Sequence, residues 1–206
     1  MSTNATNGVL LLSGGFDSAV AYSLLKNQCT LVPVHFHYYP VTGTESIDKA
    51  TSLARTLGMG PLTTYPIAPI EAAILKHCPQ KLFFVISKRM MIRIATAHAK
   101  NIGATFLVTG ESIGQVASQT LEHLHAIAAA SDLPVIRPLL THNKEEIIRI
   151  ARRIGTFDIS KGPEVCNILG PKHPATKTPL GVIERAELAL DIPSLIHDAL
   201  THAKTH

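Results

Sequence analysis

No Gly-x-x-x-x-Gly-Lys-Ser/Thr run and no Gly-x-Gly-x-x-Gly run occurs in the 206 residues, which excludes a Walker loop and a Rossmann fingerprint. No apolar run approaches the ~20 residues that a membrane span needs. Met1 to Asn7 is polar and uncharged, so no signal peptide is read there, and a cytoplasmic protein is expected. Cysteine is scarce: Cys29, Cys78 and Cys166 are odd in number and far apart, without a Cys-x-x-Cys pair. That pattern suggests neither a zinc ribbon nor a disulfide framework, and its spacing gives no support for an iron-sulfur cluster. Eleven histidines are scattered without a His-Glu-x-x-His spacing, so no metal-ligand set is read. Internal repeats and low-complexity segments are absent too.

What is there is a chain with 46% hydrophobic residues, enough for one compact α/β domain with a sizeable core. The formal charge of +4 permits contact with ATP or RNA without demanding it. The most informative stretch runs from Leu11 to Ser18, Leu-Leu-Ser-Gly-Gly-Phe-Asp-Ser. An apolar strand, Val9 to Leu12, leads into it. A helix from Ala19 to Lys26, opened by Asp17 or Ser18 as N-cap, is expected to follow. A strand, a Gly-Gly turn and a helix N-terminus make an anion site, because the backbone amides can approach an oxyanion that the helix dipole favours. A plain strand-to-helix turn is the bland alternative.

Further along, Cys29 to Phe36 reads as a second strand, with His35 and Phe36 at its C-terminal end, where ligands sit in doubly wound sheets. Helices are expected over Glu45 to Leu57, Pro69 to His77 and Phe83 to Asn101. Lys88, Arg89 and Arg93 near the start of the last oppose its dipole, and either a solvated face or an anion partner explains them. Leu62 to Ile67, Thr105 to Val108 and Pro134 to Leu139 read as strands, and Gln115 starts a further helix. Asn143 and Glu146 form a capping box before an apolar stripe that Gly155 ends. Thr156 to Pro179 reads as a long loop, of the kind usually kept for function, and helices Gly181 to Leu190 and Pro193 to Lys204 close the chain. The alternation predicts a doubly wound, five-stranded parallel sheet with helices on both faces.

Ser13-Gly14-Gly15-Phe16-Asp17-Ser18 resembles the PP-loop of the ATP pyrophosphatases, which split ATP into AMP and pyrophosphate. Adding Lys88 to Arg93, Thr109 to Thr120 and Arg137 to Ile148, the chain resembles the catalytic domain of tRNA 4-thiouridine synthetase over roughly residues 8 to 180. Pro163 to Cys166 and Pro171 to Pro174 match more loosely. The resemblance implies an adenine nucleotide alpha hydrolase-like fold, with 1–180 as the PP-loop domain and 181–206 as a C-terminal helical extension of it. It implies ATP contacts from Leu11, Leu12, His35, Phe36, Lys88, Gly110 and Gln119, besides the loop residues Ser13, Gly14, Gly15, Asp17 and Ser18.

By the same resemblance Asp17 serves substrate activation, with Mg2+ bridging the phosphates, and Lys144 acts near the α-phosphate. Uracil O4 of tRNA attacks that phosphate, and sulfur from a persulfide on Cys166, or sulfide, then displaces AMP. Lys161, Lys172 and His173 would lower the Cys166 pKa. Cys29 and Cys78 read more simply as structural. No counterpart is expected for the N-terminal THUMP region and C-terminal rhodanese region usual in the family, and a separate THUMP-type protein is expected to present the tRNA. A persulfide carrier or sulfide is the expected sulfur donor, and a homodimer would bury faces that a lone module exposes. Two other readings stay open: a PP-loop adenylating enzyme with another acceptor, and a non-catalytic nucleotide-binding module.

Overall fold

The computed structural model describes residues 7–113, 119–162 and 170–206. Its first half runs β1 (Asn7–Leu11), α1 (Phe16–Leu25), β2 (Thr30–His37), α2 (Glu45–Thr56), β3 (Thr63–Pro66), α3 (Ala68–His77) and α4 (Phe83–Asn101). Then come β4 (Phe106–Val108), α5 (Leu121–Ala128), β5 (Val135–Ile136), α6 (Lys144–Arg153) and α7 (Phe157–Ser160). The chain closes with α8 (Leu180–Glu187), α9 (Ile192–Thr201) and β6 (Lys204–Thr205).

The strands lie in the order β5-β4-β1-β2-β3-β6. Pairings among the first five are parallel, and β6 joins β3 antiparallel. From β1 the chain builds outward through β2 and β3, then crosses to the other side of β1 for β4. The topological switch point therefore falls between β1 and β4, and ligands of open α/β sheets bind beyond the strand ends at such a point.

Alternation along β1 sends neighbouring side chains to opposite faces. Val9 enters a core built with α3, α4, α5, α8 and α9. Leu10 enters a second core under α1, α2 and α6. Ile183, Leu190 and Ala199, from the segment read as an extension, belong to the first of these cores.

Several expectations need correction. The sheet has a sixth strand, β6, where a helix was expected to run on to Lys204; α9 ends at Thr201. Helix α1 begins at Phe16 with Gly15 as its N-cap and no side-chain cap, so neither Asp17 nor Ser18 caps it. The Ser18 hydroxyl is occupied instead, donating to the Gly15 carbonyl and accepting from the Ser13 amide. Helix α5 starts at Leu121 rather than Gln115: the Thr120 hydroxyl caps it by accepting from the His123 amide. The expected start at Gln115 lies outside the described residues. The loop after Thr156 carries the short helix α7. Helix α4 spans the residues expected, and α6 has the expected capping box in both directions.

Candidate functional site

The Leu12 amide extends the β1–β2 ladder by donating to the Val34 carbonyl at 2.8 Å, and the backbone then leaves the sheet. Gly14 adopts φ +87°, a left-handed conformation that costs a side chain dearly and glycine nothing. The stem of Lys49, from α2, lies over this glycine: a Cβ there would stand 3.5 Å from Lys49 Cδ. The Ser13 hydroxyl accepts from the Gly15 amide at 3.2 Å, and Ser18 ties back to Ser13 at 3.1 Å. Ser18 is buried, so its side chain latches the loop from inside. Asp17 stands in the first turn of α1, whose orphan amides face outward at the switch point.

Gly110 closes the other side. A Cβ on it would lie 2.6 Å from the Asp17 carbonyl carbon and from the Ser18 nitrogen. Only glycine lets the chain leaving β4 touch the first turn of α1 backbone to backbone. Leu11, Leu12, the loop and Gly110 are thus gathered at one place.

His35 and Phe36 are separated by strand alternation. The His35 Nδ1 sits 2.8 Å from the Leu12 carbonyl oxygen, which can only accept, so Nδ1 carries the proton. Burial, aided by the charges of His37 and His206, pushes His35 down to about 4, so the ring is neutral at pH 7. Among the described residues its buried Nε2 has no hydrogen-bond partner. Phe36 turns to the other face, its ring 5.7 Å from that of Tyr65. The two side chains therefore leave the strand on opposite faces. Gln119 is buried, and its Oε1 has no hydrogen-bond partner among the described residues. Lys144 is exposed in the first turn of α6.

The basic residues of α4 find their anions inside the chain. Arg89 is 1% exposed and donates through Nε and Nη2 to Glu187 of α8 at 2.8 and 2.9 Å, and through Nη1 to the Ala126 carbonyl. Arg93 binds the same carboxylate at 2.8 and 2.7 Å. Burial alone would raise Glu187, but hydrogen bonds from Arg93 and Arg89 outweigh it and hold the carboxyl below the usual range. Lys88 reaches Glu111 at 2.8 Å, while Arg137 binds the other oxygen of Glu111 at 2.9 Å. Burial pushes Glu111 up, and the two cations outweigh it, bringing the carboxyl down to about 2. Glu111, Arg137 and Glu187 carried no assigned role from sequence, because their partners lie 23 to 98 positions away. A groove of about 370 Å³ beside α5 is lined by Leu121, Leu124, Val135, Arg137 and Leu140 among others, and none of its lining residues belongs to the loop.

The Phe16 ring of the loop lies 5.3 Å from that of Phe157 in α7, over which the Arg152 guanidinium sits at 4.7 Å. Cys166 lies outside the described residues, and so does the role expected of it. Cys29 and Cys78 are free thiols that donate to the Leu25 and Ala186 carbonyls, and burial pushes both up. No group of three or more His, Cys, Asp or Glu able to hold a metal ion occurs among the described residues. No helix among them is long and apolar enough to cross a membrane.

The profile of the thiamine biosynthesis protein (ThiI) family matches residues 3–192. A protein of Moorella thermoacetica named Probable tRNA sulfurtransferase is 46% identical over 200 residues, covering 94% of this chain and 51% of that protein. One of the same name from Coxiella burnetii is 41% identical over 206 residues, covering 96% and 52%. The chain thus spans about half the length of the curated relatives it matches. A crystal structure of a 4-thiouridine synthetase–RNA complex with bound ATP superposes with a TM-score of 0.90 at 37% identity, covering 100% of this chain and 56% of that one.

Proposed function

The chain belongs to the thiamine biosynthesis protein (ThiI) family, and from that premise we propose that it carries the ATP-dependent step of tRNA thiolation that makes 4-thiouridine. The observation that carries this reading is the junction of the Ser13–Ser18 loop with Gly110 at the switch point. It is an anion cradle in a fold shared with an ATP-bound 4-thiouridine synthetase 37% identical to it.

ATP is a substrate in this scheme. The amides of the loop and of the first turn of α1 hold the β- and γ-phosphates, and Lys88 adds charge to them. Backbone groups of Leu11, Leu12 and Gly110, with His35, Phe36 and Gln119, take the adenosine. Since His35 and Phe36 face opposite ways, one of them serves through its backbone or from behind the pocket. Magnesium fits the donor set: it binds through one or two carboxylates plus phosphate oxygens, and Asp17 supplies a carboxylate in the first turn. Bound there it would neutralise phosphate charge.

Uracil O4 of tRNA attacks the α-phosphorus, the bond to the bridging oxygen breaks, and pyrophosphate stays with the loop. Lys144 steadies the charge that develops on the α-phosphate. A carbonyl oxygen leaves poorly and AMP leaves well, so sulfur then displaces AMP at C4. It arrives as sulfide, or as the outer sulfur of a persulfide on Cys166. In the second case the attack leaves the base joined to Cys166 through a disulfide. An external thiol then attacks the Cys166 sulfur, releasing the thiolated base and leaving Cys166 in a mixed disulfide. A THUMP-type RNA-binding protein is proposed to help present the tRNA.

The test is pyrophosphate release from ATP and magnesium with unmodified tRNA, with and without such a partner. Release that depends on tRNA and is lost in Asp17→Asn and Lys144→Ala supports the scheme. ATP bound without tRNA-dependent pyrophosphate under either condition overturns it.

A further inference from the structure

Lys88 of α4, Glu111 in the segment after β4 and Arg137 just after β5 meet beside the loop. Oε1 of Glu111 accepts from Lys88 Nζ at 2.8 Å. Its Oε2 accepts from Arg137 Nε at 2.9 Å and from the Thr109 hydroxyl at 3.2 Å. Arg137 is also pinned from behind, where Nη2 donates to the Leu124 carbonyl at 3.1 Å. The side chains differ in access: that of Lys88 is 30% exposed, against 10% for Glu111 and 11% for Arg137. Gly110, next to Glu111 in the chain, touches the backbone of Asp17 and Ser18. The cluster therefore stands immediately beside the anion cradle.

A buried carboxylate is an odd neighbour for a site that takes a polyanion. Alone with Lys88 it would form a neutral pair, and the ammonium would offer a phosphate no net charge. The guanidinium changes that count. It brings a second positive charge and reaches the carboxylate through a fixed, planar fork. Two cations around one carboxylate leave a net charge of one, and the more exposed of the two cations is Lys88.

We propose that Arg137 is a positioning residue for phosphate binding: it neutralises Glu111, so that the carboxylate can hold Lys88 in place without cancelling its charge. Arg137 itself touches no phosphate in this arrangement. The inference rests on the reading of the loop as an ATP site.

The test compares ATP affinity in wild type, Arg137→Gln, Glu111→Gln and the double variant, each checked for folding by circular dichroism. Local charge is one in wild type and in the double variant, zero in Arg137→Gln and two in Glu111→Gln. Affinity follows that order: Arg137→Gln binds ATP about tenfold more weakly than wild type, as expected for one poorly screened charge at short range. In both Glu111→Gln variants the amide oxygen still accepts from Lys88 and holds it, so the double variant returns to near the wild-type value and Glu111→Gln alone binds more tightly than wild type. Loss of a purely structural contact would weaken all three. If Arg137→Gln does not fold, Glu111→Gln decides alone, since affinity equal to or below wild type overturns the proposal. A double variant no tighter than Arg137→Gln overturns it as well. Wild type that binds no ATP would overturn the ATP reading and this inference together, whereas wild-type binding with no ordering by charge removes the inference alone.

Discussion

Gly110 and Asp17 touch backbone to backbone, with 2.6 Å between the place of a Cβ on the glycine and the carbonyl carbon of the aspartate. Neither partner is the end of a flexible side chain, so an added methyl group must push strand end and helix apart. Gly110→Ala is expected to lower stability by about 1–3 kcal/mol, the usual range for overpacking. It is also expected to weaken ATP binding by spreading the cradle. Thermal melting and ATP titration check both, and an alanine variant with wild-type affinity would contradict this placement of the site.

Glu187 holds two arginines at once, and Arg89 has almost no access to water. Truncating one partner of a buried ion pair strands the other, at a cost of about 3–5 kcal/mol. Glu187→Ala should lose stability on that scale in urea unfolding. The pair joins α4 to α8 away from the loop, so ATP affinity of the folded protein should change little. A loss below about 1 kcal/mol, the range of exposed pairs, would mean that the network is solvated.

Acid should destabilise the fold in two stages. His35 is lowered to about 4 in the folded state. As pH falls below the ordinary histidine value of about 6.5, the unfolded chain gains a proton that the native one refuses. Its stabilising preference for the neutral ring is therefore complete above that value and is lost progressively as pH falls toward 4, up to about 3 kcal/mol. Glu111, lowered to about 2, has the other sign of charge: its contribution is full above the unfolded carboxylate value and is lost as pH falls through about 2. Urea midpoints measured from pH 7.5 to 4 should fall, and His35→Gln should flatten that slope. An unchanged slope in the variant would contradict a buried neutral ring.

The amino-acid sequence reveals those features whose signals are local. The Asn143–Glu146 box and the apolar stripe behind it lie within one helix, and α6 appears where they place it. The bounds of α4 and the parallel pairing of the first five strands were equally legible, because periodicity and alternation carry them. Strand β6 was not, since two residues have no period and only pairing with Thr63 and Thr64 makes them a strand. For Arg89 and Arg93 a solvated face and an anion partner both stood open, because the carboxylate they bind lies 98 and 94 positions away. The place of His35 and Phe36 at the end of β2 was legible, whereas the opposite faces they take follow from strand alternation.

Cys29 and Cys78 are expected to be poor nucleophiles. Burial pushes both thiols up, so little thiolate exists at pH 7. Iodoacetamide at pH 7 with mass-spectrometric mapping should label Cys78 in particular only after unfolding. A Cys29→Ala variant should keep any tRNA-thiolating activity. Rapid labelling of Cys78 in the native protein would contradict its place under α8.

The most direct measurement combines purified protein, ATP with magnesium, unmodified tRNA and a persulfide donor, run for wild type and Cys166→Ala. AMP release together with the absorbance of 4-thiouridine in the tRNA is expected from wild type, and no thiolated tRNA from the variant. AMP formed without any thiolated base would point to another acceptor. ATP bound with no AMP, whether or not a THUMP-type partner is present, would contradict the claim that this chain activates tRNA for thiolation.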